Sequence, residues 1–169
     1  MTIKHPEFAH HNTAQTVQAA RDKTMVKAEN DKTGTSCPCC GQLCKVYKRT
    51  LNAPLARFLI WIVRAYEHDP RWIHLRQFPM IQNRRGGGDY GKLVHWELLK
   101  QKPNDDDPDK RTSGEWRPTP QGIEFVHLRL SVPDAVFLYD NVLQGFSDQK
   151  TAITTALGKE FSYSELMSR

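Results

Sequence analysis

The sequence predicts an α+β fold organised around residues 89–130. Apolar residues at helical spacing begin at Tyr90, directly after Asp89, which follows three glycines and is placed to cap a helix over residues 89–99. The next residues are rich in Pro, Asp and Asn, a composition that neither a helix nor a strand tolerates. From Trp116 onward the sequence predicts a returning strand that leads directly into a closing helix.

The closing helix begins at a strong capping signal. Thr119 is placed to cap it, and Pro120 suits its first position. Its buried side is predicted to carry Ile123, Val126 and Leu130. The segment WRPTPQG at residues 116–122 resembles the strand–Thr–x–x–Gly–helix ending of winged-helix proteins. We therefore predict a winged-helix-like domain over residues 52–131.

This domain begins with the clearest helix in the sequence. Asn52 or Ala53 precedes Pro54, which suits a helix start. The apolar positions that follow share helical spacing: Leu55, Phe58, Leu59, Ile62, Val63 and Tyr66. Residues 72–75 then predict a short strand, as in the small sheet of winged helices. Residues 77–82 predict a short second helix that Pro79 interrupts.

The rest of the chain divides into three segments. We predict a flexible or weakly helical arm over residues 1–36. A Cys-rich knuckle with a basic link is predicted over residues 37–51. Residues 132–169 predict a β-hairpin followed by a short helix, an appendage to the central domain. The hairpin either packs against its own domain or uses Phe137, Tyr139 and Phe146 to pair with the sheet edge of a partner protein or to form a homodimer.

All four cysteines lie in the segment CPCCGQLC, residues 37–44. Cys37, Cys40 and the glycine that follows match the turn of a zinc knuckle, in which two thiolates converge on one ion. A complete site usually adds a second pair of ligands farther along the chain, and this sequence has none. Either Cys44 supplies a third ligand, with Cys39 or an N-terminal histidine as the fourth, or the turn holds reduced thiols without zinc.

Charge and composition limit the class of protein. The net charge is +5, but the first 100 residues carry 16 Lys and Arg against 8 Asp and Glu, whereas the remainder carries net charge −3. A basic first half is a candidate footprint for nucleic acid. The longest apolar run, residues 58–63, is too short to cross a bilayer, and the N-terminus lacks a secretory pattern. We therefore expect a cytoplasmic protein without a membrane partner.

The helix at residues 89–99 occupies the position of a recognition helix, the element that reads the major groove of DNA. The basic candidates for DNA contact lie in this helix, in the loop before it and in the basic link: Lys45, Lys48, Arg49, Arg84, Arg85, Lys92 and His95. The wing that follows is acidic and would repel DNA at close range. Its carboxylates either stay in solvent or bind a basic protein surface; they are Asp105, Asp106, Asp107 and Asp109.

From Cys37 onward the sequence resembles small proteins of uncertain role encoded by bacteriophages and prophages. The shared motifs are CPCCGQ, YGKLVHW, WRPTPQG and ITTALGKEFSYSELM. The resemblance implies a phage-derived, cytoplasmic, winged-helix-like protein, and it transfers no catalytic residue.

Three hypotheses of function follow. The first is a phage regulatory or accessory protein that binds DNA through its winged-helix domain. The second is a protein-interaction module that inhibits a host or defence enzyme through its acidic wing and aromatic hairpin. A metal-dependent nuclease is the third, but no triad, paired-carboxylate site or cofactor fingerprint supports it, so we expect no enzymatic activity.

Overall fold

The computed structural model describes residues 17–31, 33–38, 40–78, 89–104, 112–159 and 161–168. These residues form a mixed α+β fold with small antiparallel sheets, which confirms the predicted class. The chain divides into two compact units, Met1–Val46 and Tyr47–Arg169.

The first unit consists of one helix and one short hairpin. Helix α1 (Val17–Asn30) packs against strands β1 (Thr35–Ser36) and β2 (Leu43–Cys44), which pair antiparallel. Among the described residues of this unit, only Thr24 and Ala28 are buried. The segment predicted as a weakly helical arm therefore contains a full helix, but with very little core beneath it.

The second unit contains the remaining helices and strands. They are β3 (Tyr47–Thr50), α2 (Ala53–His68), β4 (Ile73–His74), the 3₁₀ helices Leu75–Gln77 and Asp89–Trp96, β5 (Leu99–Gln101), β6 (Glu115–Pro118), α3 (Pro120–Val126), β7 (Val132–Pro133), β8 (Ala135–Tyr139), β9 (Val142–Phe146), β10 (Lys150–Thr151), α4 (Ile153–Leu157) and α5 (Tyr163–Ser168).

Helix α2 is the centre of the core, as predicted. The Asn52 side chain caps it by accepting a hydrogen bond from the Leu55 backbone N–H at 3.2 Å, and Pro54 lies in its first turn. Phe58, Leu59 and Ile62 are fully buried. The helix packs against α3, α4, α5, β6 and the 3₁₀ helix Asp89–Trp96. A strong local cap and a wide apolar face thus place α2 beneath most of the second unit.

Two three-stranded antiparallel sheets cover this core. In the first, the strand order is β4-β6-β5, with Ile73 opposite Trp116 and Leu99 opposite Pro118. The predicted strand at residues 72–75 is therefore confirmed in its central two residues. Of the second helix predicted at residues 77–82, only residues 77 and 78 lie within the described residues.

The second sheet joins a strand that precedes α2 to the C-terminal hairpin. Its order is β3-β8-β9, so the segment predicted as a basic link is an edge strand paired with the C-terminal hairpin. Residues 132–169, predicted as an appendage, share the main core through buried residues such as Val136 and Ile153. The hairpin itself is confirmed, with Asp140 and Asn141 both at positive φ in its turn. It packs against its own domain.

The helix predicted over residues 89–99 is a 3₁₀ helix that ends at Trp96. Glu97 turns the chain at a φ of +57°, so that its N–H bonds to the Val94 carbonyl and the Leu98 N–H bonds to the Leu93 carbonyl. This pattern is a Schellman motif, in which the left-handed residue is usually glycine. Leu93 and Leu98 are both fully buried in the same hydrophobic core, and this burial offsets the strain at Glu97.

The WRPTPQG segment joins β6 to α3 as predicted, and it also locks this helix end. Thr119 caps α3 by accepting a hydrogen bond from the Gly122 N–H at 3.0 Å, while the Gln121 amide donates to the Trp96 carbonyl at 2.9 Å. A Cβ built on Gly122 would lie 2.2 Å from the Leu98 carbonyl oxygen. Glycine is therefore required for α3 to approach the start of β5 this closely.

Candidate nucleic-acid interface

The 3₁₀ helix Asp89–Trp96 presents one side to the core and the other to an open cleft. On the core side the Tyr90 ring packs 4.5 Å from the Phe58 ring, and the Trp96 indole N–H donates to the Pro133 carbonyl at 2.7 Å. These contacts fix the rotation of the helix, which leaves Lys92 and His95 lining the cleft.

The cleft has a volume of about 620 Å³ and is built from several separate segments. Lys92 and His95 come from the helix, Gln101 and Trp116 from strands β5 and β6, and Asn141 from the turn of the β8–β9 hairpin. Sequence analysis of the helix segment identifies only Lys92 and His95. No local signal identifies the others, because they meet only through the tertiary fold.

Asp89 is the electrostatic centre of the cleft edge. Its carboxylate lies 3.0 Å from the Lys92 ammonium and 4.0 Å from the Arg49 guanidinium. The Asp89 and Arg49 side chains are 57% and 42% exposed, and ion pairs this exposed contribute only about 0–1 kcal/mol. Two predicted DNA contacts thus share one acidic partner that a phosphate group can replace at little cost.

His95 lies in surroundings that favour its neutral form. Burial lowers its pKa below the ordinary value of 6.5, and nearby Lys92 lowers it further, although a hydrogen bond with the Asn141 side chain acts in the opposite direction. A neutral imidazole can donate or accept a hydrogen bond to a base edge or a phosphate, but it supplies no Coulomb attraction. The positive charge of the cleft therefore comes from Lys92 and Arg49.

Trp116 provides an unused hydrogen-bond donor beside the cleft. The residue is 8% exposed, and its buried indole N–H has no partner within the described residues. Leaving such a donor unpaired typically costs about 1–3 kcal/mol. The wall of the cleft therefore carries an unsatisfied polar group, a feature more common at functional sites than in ordinary cores.

The other predicted nucleic-acid residues do not join this cluster. Lys48 is exposed on β3 opposite Phe137, whereas Lys45 belongs to the first unit. Arg84 and Arg85 lie outside the described residues. Only Arg49, Lys92 and His95 are therefore placed at the cleft or its edge.

The partner-binding candidates fall into two groups. Phe137 and Tyr139 lie half-buried on the central strand β8, so the strand itself is paired on both sides. The acidic wing residues lie outside the described residues: Asp105, Asp106, Asp107 and Asp109. The second strand of the predicted hairpin, β9, exposes more apolar surface, with Val142 at 55% and Phe146 at 48%.

The cysteine candidates lie in the hairpin of the first unit. Cys37 and Cys44 are half-buried and Cys40 is exposed, whereas Cys39 lies outside the described residues. In the described part of the chain, no group of three or more His, Cys, Asp or Glu side chains is arranged to hold a metal ion.

In comparisons with known proteins, no family model matches this sequence, and neither a curated protein nor a solved structure is significantly similar to it. The resemblance to phage and prophage proteins therefore stays a prediction. Among the described residues, none of the helices combines the length and apolar character needed to cross a bilayer.

Proposed function

We propose that this chain is a phage-encoded accessory protein whose second unit is winged-helix-like and binds duplex DNA through the cleft beside helix Asp89–Trp96. The observation that carries the proposal is the pairing of Arg49 and Lys92 with a single, exposed Asp89 at the cleft edge. Both cations are held in place in the free protein, and both become available when phosphate replaces the carboxylate.

The connectivity of the second unit supports the winged-helix assignment. The helix Asp89–Trp96 leads into β5, and β5 and β6 form a hairpin whose outer neighbour is β4. In winged-helix proteins the recognition helix likewise precedes a hairpin that pairs with an earlier short strand. The sequence predicted as the wing falls between β5 and β6 in the chain.

The cleft side chains support recognition of a polyanion. Most hydrogen bonds between proteins and DNA go to phosphate and sugar, from Arg, Lys and neutral polar side chains. Lys92 and Arg49 provide the first kind, while Gln101, Asn141 and neutral His95 provide the second. With two cations in the cluster, we expect weak, salt-sensitive binding.

The test is fluorescence anisotropy of labelled random duplex DNA at two salt concentrations. We expect micromolar binding that falls steeply with salt, and Lys92→Ala and Arg49→Ala should each reduce the salt slope by about one. Lys159→Ala is the matched control, because this exposed lysine follows α4 and does not line the cleft. Equal losses in all three variants would mean that general charge, not the cleft, attracts DNA.

One observation favours a second function, binding of a partner protein. Strand β9 is the edge of its sheet among the described residues, and it is uncharged and exposes Val142, Leu143 and Phe146. Natural edge strands usually carry charges or prolines that prevent pairing with another chain. An extended partner segment that adds to β9 would hydrogen-bond the free edge and cover these side chains.

This alternative predicts that Phe146→Lys abolishes capture of a specific partner from a host lysate. Leu128→Lys is its matched control, since Leu128 is comparably exposed, at 51%, but lies outside the sheet. A partner retained by both variants would exclude β9 as its binding site.

A further inference from the structure

The CPCCG turn in the first unit is closed in a manner that suits a pair of metal ligands. The Cys37 N–H donates to the Gln42 carbonyl at 2.8 Å, and the Gly41 N–H donates to the Cys37 carbonyl at 2.9 Å. Gly41 adopts a φ of +72°, the left-handed region that glycine favours. These two hydrogen bonds form a tight loop with Cys37 at its start and Cys40 near its end.

The described residues supply two ligands at this turn and no more. Cys44 lies on β2 opposite Thr35, and its thiol donates to the Gln42 carbonyl at 3.7 Å. No group of three metal-binding side chains occurs in the described part of the chain. A structural zinc ion is almost always bound by four ligands in a tetrahedron, so one turn fills only half of its coordination sphere.

The described residues of the first unit form very little apolar core. Of its described residues only Ala28 is a buried apolar side chain, while Val26 and Leu43 are 53% and 61% exposed. Units of this size usually require a metal, a disulfide or oligomerisation to fold stably. A bound ion that also joins two copies would supply two of these contributions at once.

We propose that one Zn²⁺ is bound by Cys37 and Cys40 of two copies of this chain and joins them as a dimer. The turn lies at the tip of the β1–β2 hairpin, where Cys40 is exposed. Leu43, directly after the turn, would be covered in the dimer. Two identical turns provide the four thiolates, and binding releases the protons of the ligating thiols to solvent.

The experiment is metal analysis and native mass spectrometry on the full chain, purified without chelator. We expect 0.5 zinc per chain and a species of twice the 19.5 kDa chain mass, which becomes monomeric when a chelator removes the ion. Cobalt substitution gives a second readout, because tetrahedral four-thiolate coordination produces strong, characteristic absorption bands. DNA binding plays no part in these measurements, so the proposal stands or falls independently of the cleft.

Cys40→Ser should lose both zinc and the dimer, whereas Cys44→Ser should keep both. Tryptophan fluorescence verifies that each variant retains the second unit, since all four tryptophans lie after residue 46. One zinc per monomeric chain would overturn the proposal, because a single chain would then complete the site by itself. A zinc-free wild-type protein, or loss of zinc in Cys44→Ser, would also overturn it.

Discussion

Replacing Gly122 by alanine tests whether the contact between α3 and the start of β5 organises the second unit. The new Cβ would lie 2.2 Å from the Leu98 carbonyl oxygen and 3.0 Å from its carbonyl carbon. A carbon–oxygen contact needs roughly 3.3 Å. Since both contacted atoms belong to the backbone, no side-chain rotation relieves the overlap, and α3 must move away from Leu98 by about 1 Å.

The expected loss of folding stability combines the packing, hydrogen-bond and helix-propensity contributions at this junction. Forcing an extra methyl group into a packed site costs about 1–3 kcal/mol. The displacement also weakens the hydrogen bond from the Thr119 N–H to the Leu98 carbonyl, now 3.2 Å, which contributes about 0.5–1.5 kcal/mol. Because alanine has a higher helix propensity than glycine, the substitution also stabilises α3 by about 1 kcal/mol, which offsets part of the loss. We expect a net loss of about 2 kcal/mol, equivalent to a fall in Tm of roughly 8 °C for a unit of this size.

The assay is urea unfolding followed by tryptophan fluorescence, which reports only the second unit. Gly145→Ala on β9 is the matched control, since a Cβ there meets no atom within 4 Å. We expect the control to unfold within about 0.5 kcal/mol of the wild type. A Gly122→Ala variant as stable as this control would refute the close approach of α3 to Leu98.

Three further predictions concern single residues near the cleft. Glu97→Gly should raise the free energy of unfolding by about 0.5–1 kcal/mol. Glycine removes the strain of positive φ, although its greater loss of backbone entropy on folding offsets part of that stabilisation. A lower urea midpoint would contradict this prediction. Asp89→Asn should raise DNA affinity in the anisotropy assay, since it frees Lys92 from its partner; reduced affinity would mean that Asp89 holds the lysine in its binding position. The lowered pKa of His95 means that the unfolded chain binds its proton more readily than the folded one, so stability declines as pH falls below about 6.5. Urea midpoints between pH 7.5 and pH 5.5 should therefore change less in His95→Gln than in the wild type, and an equal change in both proteins would contradict this.

Local signals in the sequence predicted the elements that depend on local chemistry. Asn52 with Pro54, and Thr119 with Pro120, start α2 and α3 as expected, because capping involves only neighbouring residues. The hairpin turn at residues 140–141 is likewise local. These three features position most of the second unit.

The features that sequence analysis missed depend on contacts between distant segments. The helix before β5 ends at Trp96, and the chain turns at Glu97, a residue with no helix-stop character, because burial of Leu93 and Leu98 in the core determines where the chain turns. In the cleft, Asn141 contacts His95 only because β8 pairs with β3, more than eighty residues away in sequence. Apolar periodicity identifies which face is buried, but it does not identify the partner that buries it.

The pairing of β3 with β8 has a consequence for synthesis of the chain. Thr50 lies opposite Ala135, so β3 leaves the ribosome well before its partner strand has been made. At about 5–20 residues per second, the delay is on the order of 4–17 s. Lys48 and Arg49 place two positive charges on the nascent strand during this interval, and charges of this kind discourage premature pairing with other chains. Arg49, which pairs with Asp89 in the folded protein, would thus also protect the unfinished chain.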